Sequence, residues 1–247
     1  MADPGRIPFK LDLTMCERTI NAHINVPETS MRVTDLLPIL HAFDEAVVGM
    51  AADKAQSDGQ KISCRAGCGA CCRQLAPVAE SEAVYLADLV ATMPPDRRQA
   101  VRERFCNAIA KIGEPLLERM RDTRALDTME KRRQLGIEYF ALGIPCPFLE
   151  DESCSIHQTR PMTCREYLVT SPPENCRTPG PETIRQVPVP IKLSQILYCF
   201  GDGKGNEATR WVPLILSLEW AESGRRREVD LQFPGPELFK NFASQIR

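Results

Sequence analysis

The sequence predicts a mainly helical protein with a short N-terminal β-hairpin and a proline-rich irregular segment. Three patterns carry this prediction: strand-like alternation near the start, helical spacing of apolar residues through the middle, and frequent prolines from residue 145 to residue 190. With 247 residues and 43% apolar composition, the chain is long enough to bury a sizeable core. We expect one domain over residues 1–247.

The first part of the chain, residues 1–59, predicts a hairpin and one long helix. Apolar and polar residues alternate over 9–14 and again over 19–26, as they do in strands that bury one face. Apolar residues then recur with helical spacing over 36–50. Pro38 is tolerated in this helix if it lies in the first turn.

The rest of the chain predicts further helices, which glycine and proline residues separate. Apolar stripes with helical spacing occur over residues 83–93, 101–112, 116–120, 125–142 and 236–246. Nine prolines from residue 145 to residue 190 exclude a long regular element there. We expect a cross-link to order this irregular stretch, and a bound metal is a natural one.

Cysteines stand in two groups, and their spacing is the strongest chemical signal in the sequence. The first group has the pattern C-x3-C-x2-C-C, and the second follows about eighty residues later. The eight candidate metal ligands are Cys64, Cys68, Cys71, Cys72, Cys146, Cys154, Cys164 and Cys176. Clustered thiols in a reducing compartment indicate metal or redox chemistry rather than structural disulfides. We therefore expect a cysteine-ligated metal centre that cross-links the helices.

The spacing leaves the type of centre open. Gly67 and Gly69 favour a loop that enters a helix, where the first amide groups stabilise thiolates. Because successive side chains diverge, Cys71 and Cys72 are hard to place on one ion. This favours a cluster, a binuclear site or two separate sites, with zinc or with iron, including an iron–sulfur cluster. The cations expected to offset the thiolate charge are Arg65, Arg73, Arg160 and Arg165.

Other candidate residues have simpler interpretations. The cysteines outside the two groups, which we expect to be structural, are Cys16, Cys106 and Cys199. Cys199 stays open as a ligand, and so does His157, although a solvent-facing or hydrogen-bonded histidine is the favoured interpretation. His41 and Glu45 lie four residues apart on the first helix, which predicts a pair on its surface.

Net charge and the length of apolar runs indicate which partners and which compartment to expect. A formal net charge of -2 gives no general attraction to nucleic acid or to an anionic membrane, so we expect neither as a partner. The N-terminal residues lack the apolar run of a signal peptide, and no stretch reaches the length of a membrane span. We expect a soluble cytoplasmic protein, and a protein partner stays open.

Short motifs around the cysteines suggest a family. After the first group come Cys146-Pro-Phe-Leu149, then Cys154-Ser-Ile-His157, then Arg160-Pro-Met-Thr-Cys164-Arg165. Together they resemble the YkgJ-type cysteine-cluster family, whose CxxCxxCC signature is met here with a three-residue first gap. The resemblance covers roughly residues 60–180 and implies chelation of zinc or iron by the cysteines of these motifs. We add Cys176, which lies in no sharp motif.

The family resemblance frames three hypotheses. Residues 60–180 would form the metal-binding core, preceded by the hairpin and helix of 1–59 and followed by a C-terminal extension over 181–247. The first hypothesis is a zinc- or iron-binding protein with no assigned physiological role. Members of the family also resemble the flagellin lysine N-methylases, which implies an enzyme of methyl transfer or of cluster-dependent redox chemistry as the alternative. The third is a structural zinc module for partner binding.

Overall fold

Helices make up most of the structure, a computed structural model that describes residues 5–15, 18–178, 180, 182–200, 203 and 210–246. This confirms the predicted mainly helical class. Within these residues the α-helices are α1 (Val33–Ser57), α2 (Glu80–Ala91), α3 (Pro95–Ile109), α4 (Glu114–Arg121), α5 (Met129–Ala141), α6 (Met162–Arg165), α7 (Leu193–Tyr198), α8 (Ser217–Glu222), α9 (Arg226–Val229) and α10 (Gly235–Ala243). None of these described helices combines the length and the apolar character that crossing a membrane requires.

The strands form antiparallel pairs. They are β1 (Arg6–Met15) with β2 (Arg18–Pro27), β3 (Ser30–Met31) with β8 (Phe233–Pro234), β4 (Pro77–Ala79) with β7 (Trp211–Pro213), and β5 (Leu149–Glu150) with β6 (Ser153–Cys154). The first pair is the predicted N-terminal hairpin, in which Phe9 lies opposite Ile24. Cys16 lies outside the described residues. The ring of Phe9 packs on that of Phe239 at 4.9 Å between centroids, which holds the hairpin against α10.

Helix α1 begins three residues before the predicted stripe, and the expectation for Pro38 is therefore wrong. Pro38 is the sixth residue of α1 and lies in its second turn, where its ring nitrogen cannot donate to the carbonyl of Thr34. The helix persists because its apolar stripe is buried in the core. The buried residues of that stripe are Leu36, Leu40, Phe43 and Val47. Packing of this face outweighs the missing hydrogen bond.

Helix α5 begins four residues later than predicted. Thr128 caps it, because its hydroxyl oxygen accepts a hydrogen bond from the backbone N–H of Lys131 at 3.2 Å. Residues Thr123–Ala125 form a separate 3-10 turn. The stripes over 83–93, 101–112, 116–120 and 236–246 correspond to α2, α3, α4 and α10, so these helices are confirmed.

The proline-rich stretch contains only short elements, as its composition predicts. Besides β5, β6 and α6 it holds two 3-10 turns, His157–Thr159 and Pro173–Arg177. It still contributes to the main core, since Phe148 and Met162 are fully buried. Its order therefore depends on tertiary packing rather than on regular secondary structure.

The end of the hairpin packs closely against α10 at Gly235. A Cβ at this position would collide with the carbonyl oxygen of Pro27 and would lie 3.0 Å from the sulfur of Met31. We expect Gly235→Ala to lower the free energy of unfolding by about 1–3 kcal/mol, the usual cost of overpacking. Gly49→Ala is the control, since a Cβ there meets nothing within 4 Å. That change in α1 should raise stability by roughly 0.5–1 kcal/mol. Urea unfolding of both variants checks the prediction, and equal stability would contradict it.

Candidate metal centre

The first cysteine group lies on the loop between α1 and α2. The loop ends in one turn of 3-10 helix, Ala70–Arg73, which carries Cys71 and Cys72. Gly67 has a φ angle of 81°, in the left-handed region that glycine adopts without strain. The loop expected from the two glycines is present, but it leads into a single tight turn instead of an α-helix.

The second group lies on short elements of the proline-rich stretch. Cys146 follows α5, Cys154 ends β6, and Cys164 is the third residue of α6. Cys176 lies on the 3-10 turn Pro173–Arg177. Each of these elements is too short to be stable alone, so tertiary contacts fix the positions of the thiols.

Direct protein contacts dock the first loop onto the β5–β6 hairpin. The backbone N–H of Cys146 donates to the carbonyl of Cys72 at 2.7 Å. The guanidinium of Arg73 makes two hydrogen bonds to the carboxylate of Glu152, at 2.5 and 3.0 Å. A Cβ on Gly69 would lie 2.9 Å from the carbonyl oxygen of Glu152, so this approach needs glycine. The two cysteine groups therefore meet through bonds that involve no sulfur.

The eight predicted thiols gather in one partly buried cluster. Cys176 is buried, the other seven are half-buried, and all eight are free thiols. Burial raises the pKa of Cys164 well above its usual value, and the nearby thiols of Cys146 and Cys71 raise it further. Burial also raises the pKa of Cys146 to about 12, and Cys154 adds to the rise. Thiols from distant parts of the chain thus lie near enough to repel one another when ionised.

Cys71 has a central place in this cluster. The neighbouring thiol of Cys72 lowers the pKa of Cys71, and Cys71 raises the pKa of Cys72. Both residues lie on the 3-10 turn, and the expectation that they are hard to place on one ion stays a prediction. The thiols whose pKa the Cys71 thiolate raises, besides Cys72, are Cys64, Cys146, Cys154, Cys164 and Cys176.

Arg160 is the cation that reaches the largest number of these thiols. Burial raises the pKa of Cys154 and of Cys64, and the charge of Arg160 opposes both shifts. It also lowers the pKa of Cys71, behind the larger effect of the neighbouring Cys72 thiol. Its Nε is buried and has no hydrogen-bond partner among the described residues. Arg160 is thus the best placed of the predicted arginines to offset thiolate charge.

Buried polar contacts fix α6, the short helix that carries Cys164. The carboxylate of Glu82 accepts hydrogen bonds from the backbone N–H groups of Ala79 at 2.9 Å and of Met162 at 2.8 Å. One buried side chain therefore ties the start of α2 to the start of α6. Arg165, also buried, donates to Glu45 on α1 at 2.8 Å. These contacts orient Cys164 toward the cluster without a contact to its sulfur.

Sequence reasoning missed Glu82 and misplaced His41. The acidic residues just before the first apolar residue of α2 are a typical sign of a helix start, but they do not reveal the bond to α6. His41 was expected on the surface, yet only 6% of it is exposed, and its ring packs edge-on against Tyr85. Burial lowers the pKa of His41 to about 4. The predicted surface pair with Glu45 is therefore wrong.

The remaining candidates lie apart from this arrangement or stay open. Cys106 is exposed on α3, so it is not a buried filler of the core. Cys199 is half-buried at the end of α7. His157 is exposed and hydrogen-bonds to Arg160, in line with the favoured interpretation. Its ring thus contacts the cation of the cluster rather than a sulfur.

Cysteine thiolates are the ligands that soft metals prefer, although the thiols are not arranged around a metal ion in this structure. In the described part of the chain, no three cysteine, histidine, aspartate or glutamate side chains stand in an arrangement that would hold a metal ion as they are placed. The backbone N–H of Val169 donates to the sulfur of Cys64 at 3.4 Å, a contact that favours the thiolate form. Ligation would have to draw the sulfurs closer, which couples binding to local folding.

Free, half-buried thiols from separate segments, with a cation among them, define a cysteine-rich site of the class that binds soft metals. Residues 63–179, just under half of the chain, match the family model CxxCxxCC, described as "Putative zinc- or iron-chelating domain". This match confirms the family resemblance of residues 63–179 that the cysteine motifs suggest. No curated protein and no solved structure matches the chain.

The buried carboxyl group of Asp44, which lies behind α6, makes the stability of the fold depend on pH. It is fully buried on α1, and neither of its carboxyl oxygens has a hydrogen-bond partner among the described residues. Burial, followed by the charge of Glu166, raises the pKa of Asp44 to about 8. The folded state therefore keeps a proton that the unfolded chain releases above a pKa of about 3.9. The stability that neutral Asp44 contributes to the fold is therefore lost as the pH rises from about 3.9 to about 8.

We expect Asp44→Asn to become more favourable as the pH rises. The amide carries no charge at any pH, so the variant avoids the loss that wild type suffers. Between about pH 5 and pH 8, its unfolding free energy relative to wild type should increase by more than about 1 kcal/mol. Urea unfolding at both pH values measures the change. Exposed Asp122 gives the control, Asp122→Asn, whose difference from wild type should stay nearly constant. A constant difference for Asp44→Asn would refute the raised pKa of Asp44.

Proposed function

We propose that the protein binds zinc or iron through the eight clustered thiols, arranged as two adjoining groups that share Cys71. The proposed ligands are Cys64, Cys68, Cys71, Cys72, Cys146, Cys154, Cys164 and Cys176. The observation that carries the proposal is the convergence of these free thiols from separate segments into one partly buried cluster. The family description, zinc or iron chelation, supports the same chemistry.

Packing supports two groups rather than one undivided set. Cys64 and Cys68 pack with Cys176 against a small apolar cluster that is separate from the main core. Cys146 and Cys154 pack against the main core instead. We call these the small-core group and the main-core group. Their different surroundings favour two adjoining subsites.

The electrostatic contacts divide the thiols in the same way. Burial raises the pKa of Cys176 to about 11, and the thiols that add to this rise are Cys71, Cys64 and Cys68. The pKa of Cys72 is raised first by the neighbouring Cys71 thiol and by burial, and then by Cys146 and Cys164. Cys72 and Cys164 therefore belong to the main-core group. Cys71 acts on members of both groups, which is the position expected of a shared ligand.

The protein supplies charge, hydrogen bonds and burial to such a centre. Thiolates carry more charge than the metal ions they bind, so a filled site is negative and gains from a nearby cation. Arg160 provides that cation, and the N–H of Val169 provides a donor to sulfur. Zinc would give a structural cross-link, whereas an iron–sulfur cluster would give an electron carrier. All-thiolate ligation suits either metal.

Cysteine substitutions test the ligand set and its division. We expect Cys68→Ser to lose the metal of the small-core group and Cys154→Ser to lose that of the main-core group, because serine is a poor ligand for soft metals. Each variant should keep part of the wild-type metal content. Metal analysis of anaerobically purified protein measures this. Cys106→Ser, in an exposed thiol outside the cluster, should keep the full content.

The same measurements can reject the proposal. A full metal content in Cys68→Ser or Cys154→Ser would contradict the ligand assignment. Complete loss in each variant would indicate one undivided centre instead of two subsites. An absorption spectrum then separates the metals: a colourless zinc protein excludes the iron–sulfur form, and a brown protein with a broad visible band excludes zinc.

A further inference from the structure

A surface pocket of about 730 Å³ adjoins the cysteine cluster. The lining residues that matter here are Gln74, Arg133, Ile137, Phe140, Tyr167 and Gln186. Pockets that hold small organic ligands measure roughly 300–1,000 Å³ and combine apolar walls with a few polar groups. This pocket has that size and that composition.

Tyr167 forms a wall between the pocket and the small-core group. Its backbone carbonyl accepts a weak hydrogen bond from the thiol of Cys64 at 3.9 Å. Its hydroxyl, on the pocket side, accepts a hydrogen bond from Nε2 of Gln74 at 3.3 Å. Burial raises the pKa of Tyr167, and the charges of Cys176 and Cys71 add to the rise. A ligand in the pocket would therefore lie next to the proposed metal ligands.

Arg133 gives the pocket a positive charge that is not neutralised. No carboxylate among the described residues pairs with it, and no acidic residue is in the pocket lining that the structure describes. Its neighbours on α5 differ, since Lys131 pairs with Asp127 at 2.8 Å and Arg132 donates to a backbone carbonyl. A planar guanidinium free of an ion pair matches a carboxylate in two parallel hydrogen bonds.

The apolar part of the lining indicates what the carboxylate is attached to. The aromatic rings of Phe140 and Tyr167 line the pocket, and Ile137 lies at it with 53% of its surface exposed. An exposed side chain of this kind gains free energy when a ligand covers it. A flat apolar body would cover Ile137 and pack on the rings while its acid group reaches Arg133.

We propose that this pocket binds a small organic carboxylate with a flat apolar body, held by an ion pair with Arg133. Binding itself needs only the pocket. That the ligand is thereby presented to a metal centre rests on the proposed function.

Calorimetric titration of the full chain with 2-naphthoate tests the proposal. We expect a dissociation constant below about 1 mM for wild type. Arg133→Met keeps the aliphatic stem and removes the charge, so it should weaken binding about tenfold, as expected for the loss of a charge-assisted hydrogen bond. Lys131→Met removes one charge from the same helix outside the pocket and should leave the affinity unchanged. The neutral probe 2-naphthamide should bind wild type at least about tenfold more weakly.

Three results would overturn the pocket assignment: no binding of 2-naphthoate, equal affinity in Arg133→Met, or equal affinity for 2-naphthamide. Metal content is measured on the same samples, so that the two proposals fail separately. Naphthoate binding in a chain that takes up no metal contradicts the metal proposal alone. A full metal content without naphthoate binding contradicts only the pocket.

Discussion

The docking of the first cysteine loop onto the β5–β6 hairpin is the constraint on which the site depends. The backbone bond between Cys146 and Cys72 and the ion pair of Arg73 with Glu152 bring the two cysteine groups together. Because these contacts involve no sulfur, much of the entropy of closing the long loop between the groups is offset by the fold itself. Metal binding then has to order mainly side chains, which raises the affinity that the same ligands can reach.

Docking has an electrostatic cost, since it concentrates groups that repel one another when ionised. The thiols raise each other's pKa, and Glu82 and Asp44 are buried nearby behind α6. Burying an unpaired charge costs several kcal/mol, which explains why Asp44 holds a proton and His41 stays neutral. Arg160 and Arg165 bring positive charge, but most of the thiols remain protonated without a metal. A site of this kind is stabilised by cations and weakened by their removal.

Local patterns in the sequence were sufficient for much of the fold. Alternation predicts the hairpin because one face of it is buried, and Pro94 and Pro95 stop α2 because proline cannot continue a helix. The errors arise where the spacing of apolar residues does not decide the structure. The start of α5 depends on the cap at Thr128, and the burial of His41 depends on packing against Tyr85. The cysteine spacing identifies candidate metal ligands, but it does not show which distant segments of the chain come together.

The division of the thiols into two groups changes what the pocket implies. Tyr167 touches the small-core group through Cys64, whereas the main-core group lies on the side of Phe148 and α6. Only one of the two proposed subsites therefore borders the pocket. The main-core group, which packs against the core and does not border the pocket, is suited to a structural role. The small-core group borders the pocket, so any chemistry of the centre with a ligand would occur there, with Cys71 as the link between the two groups.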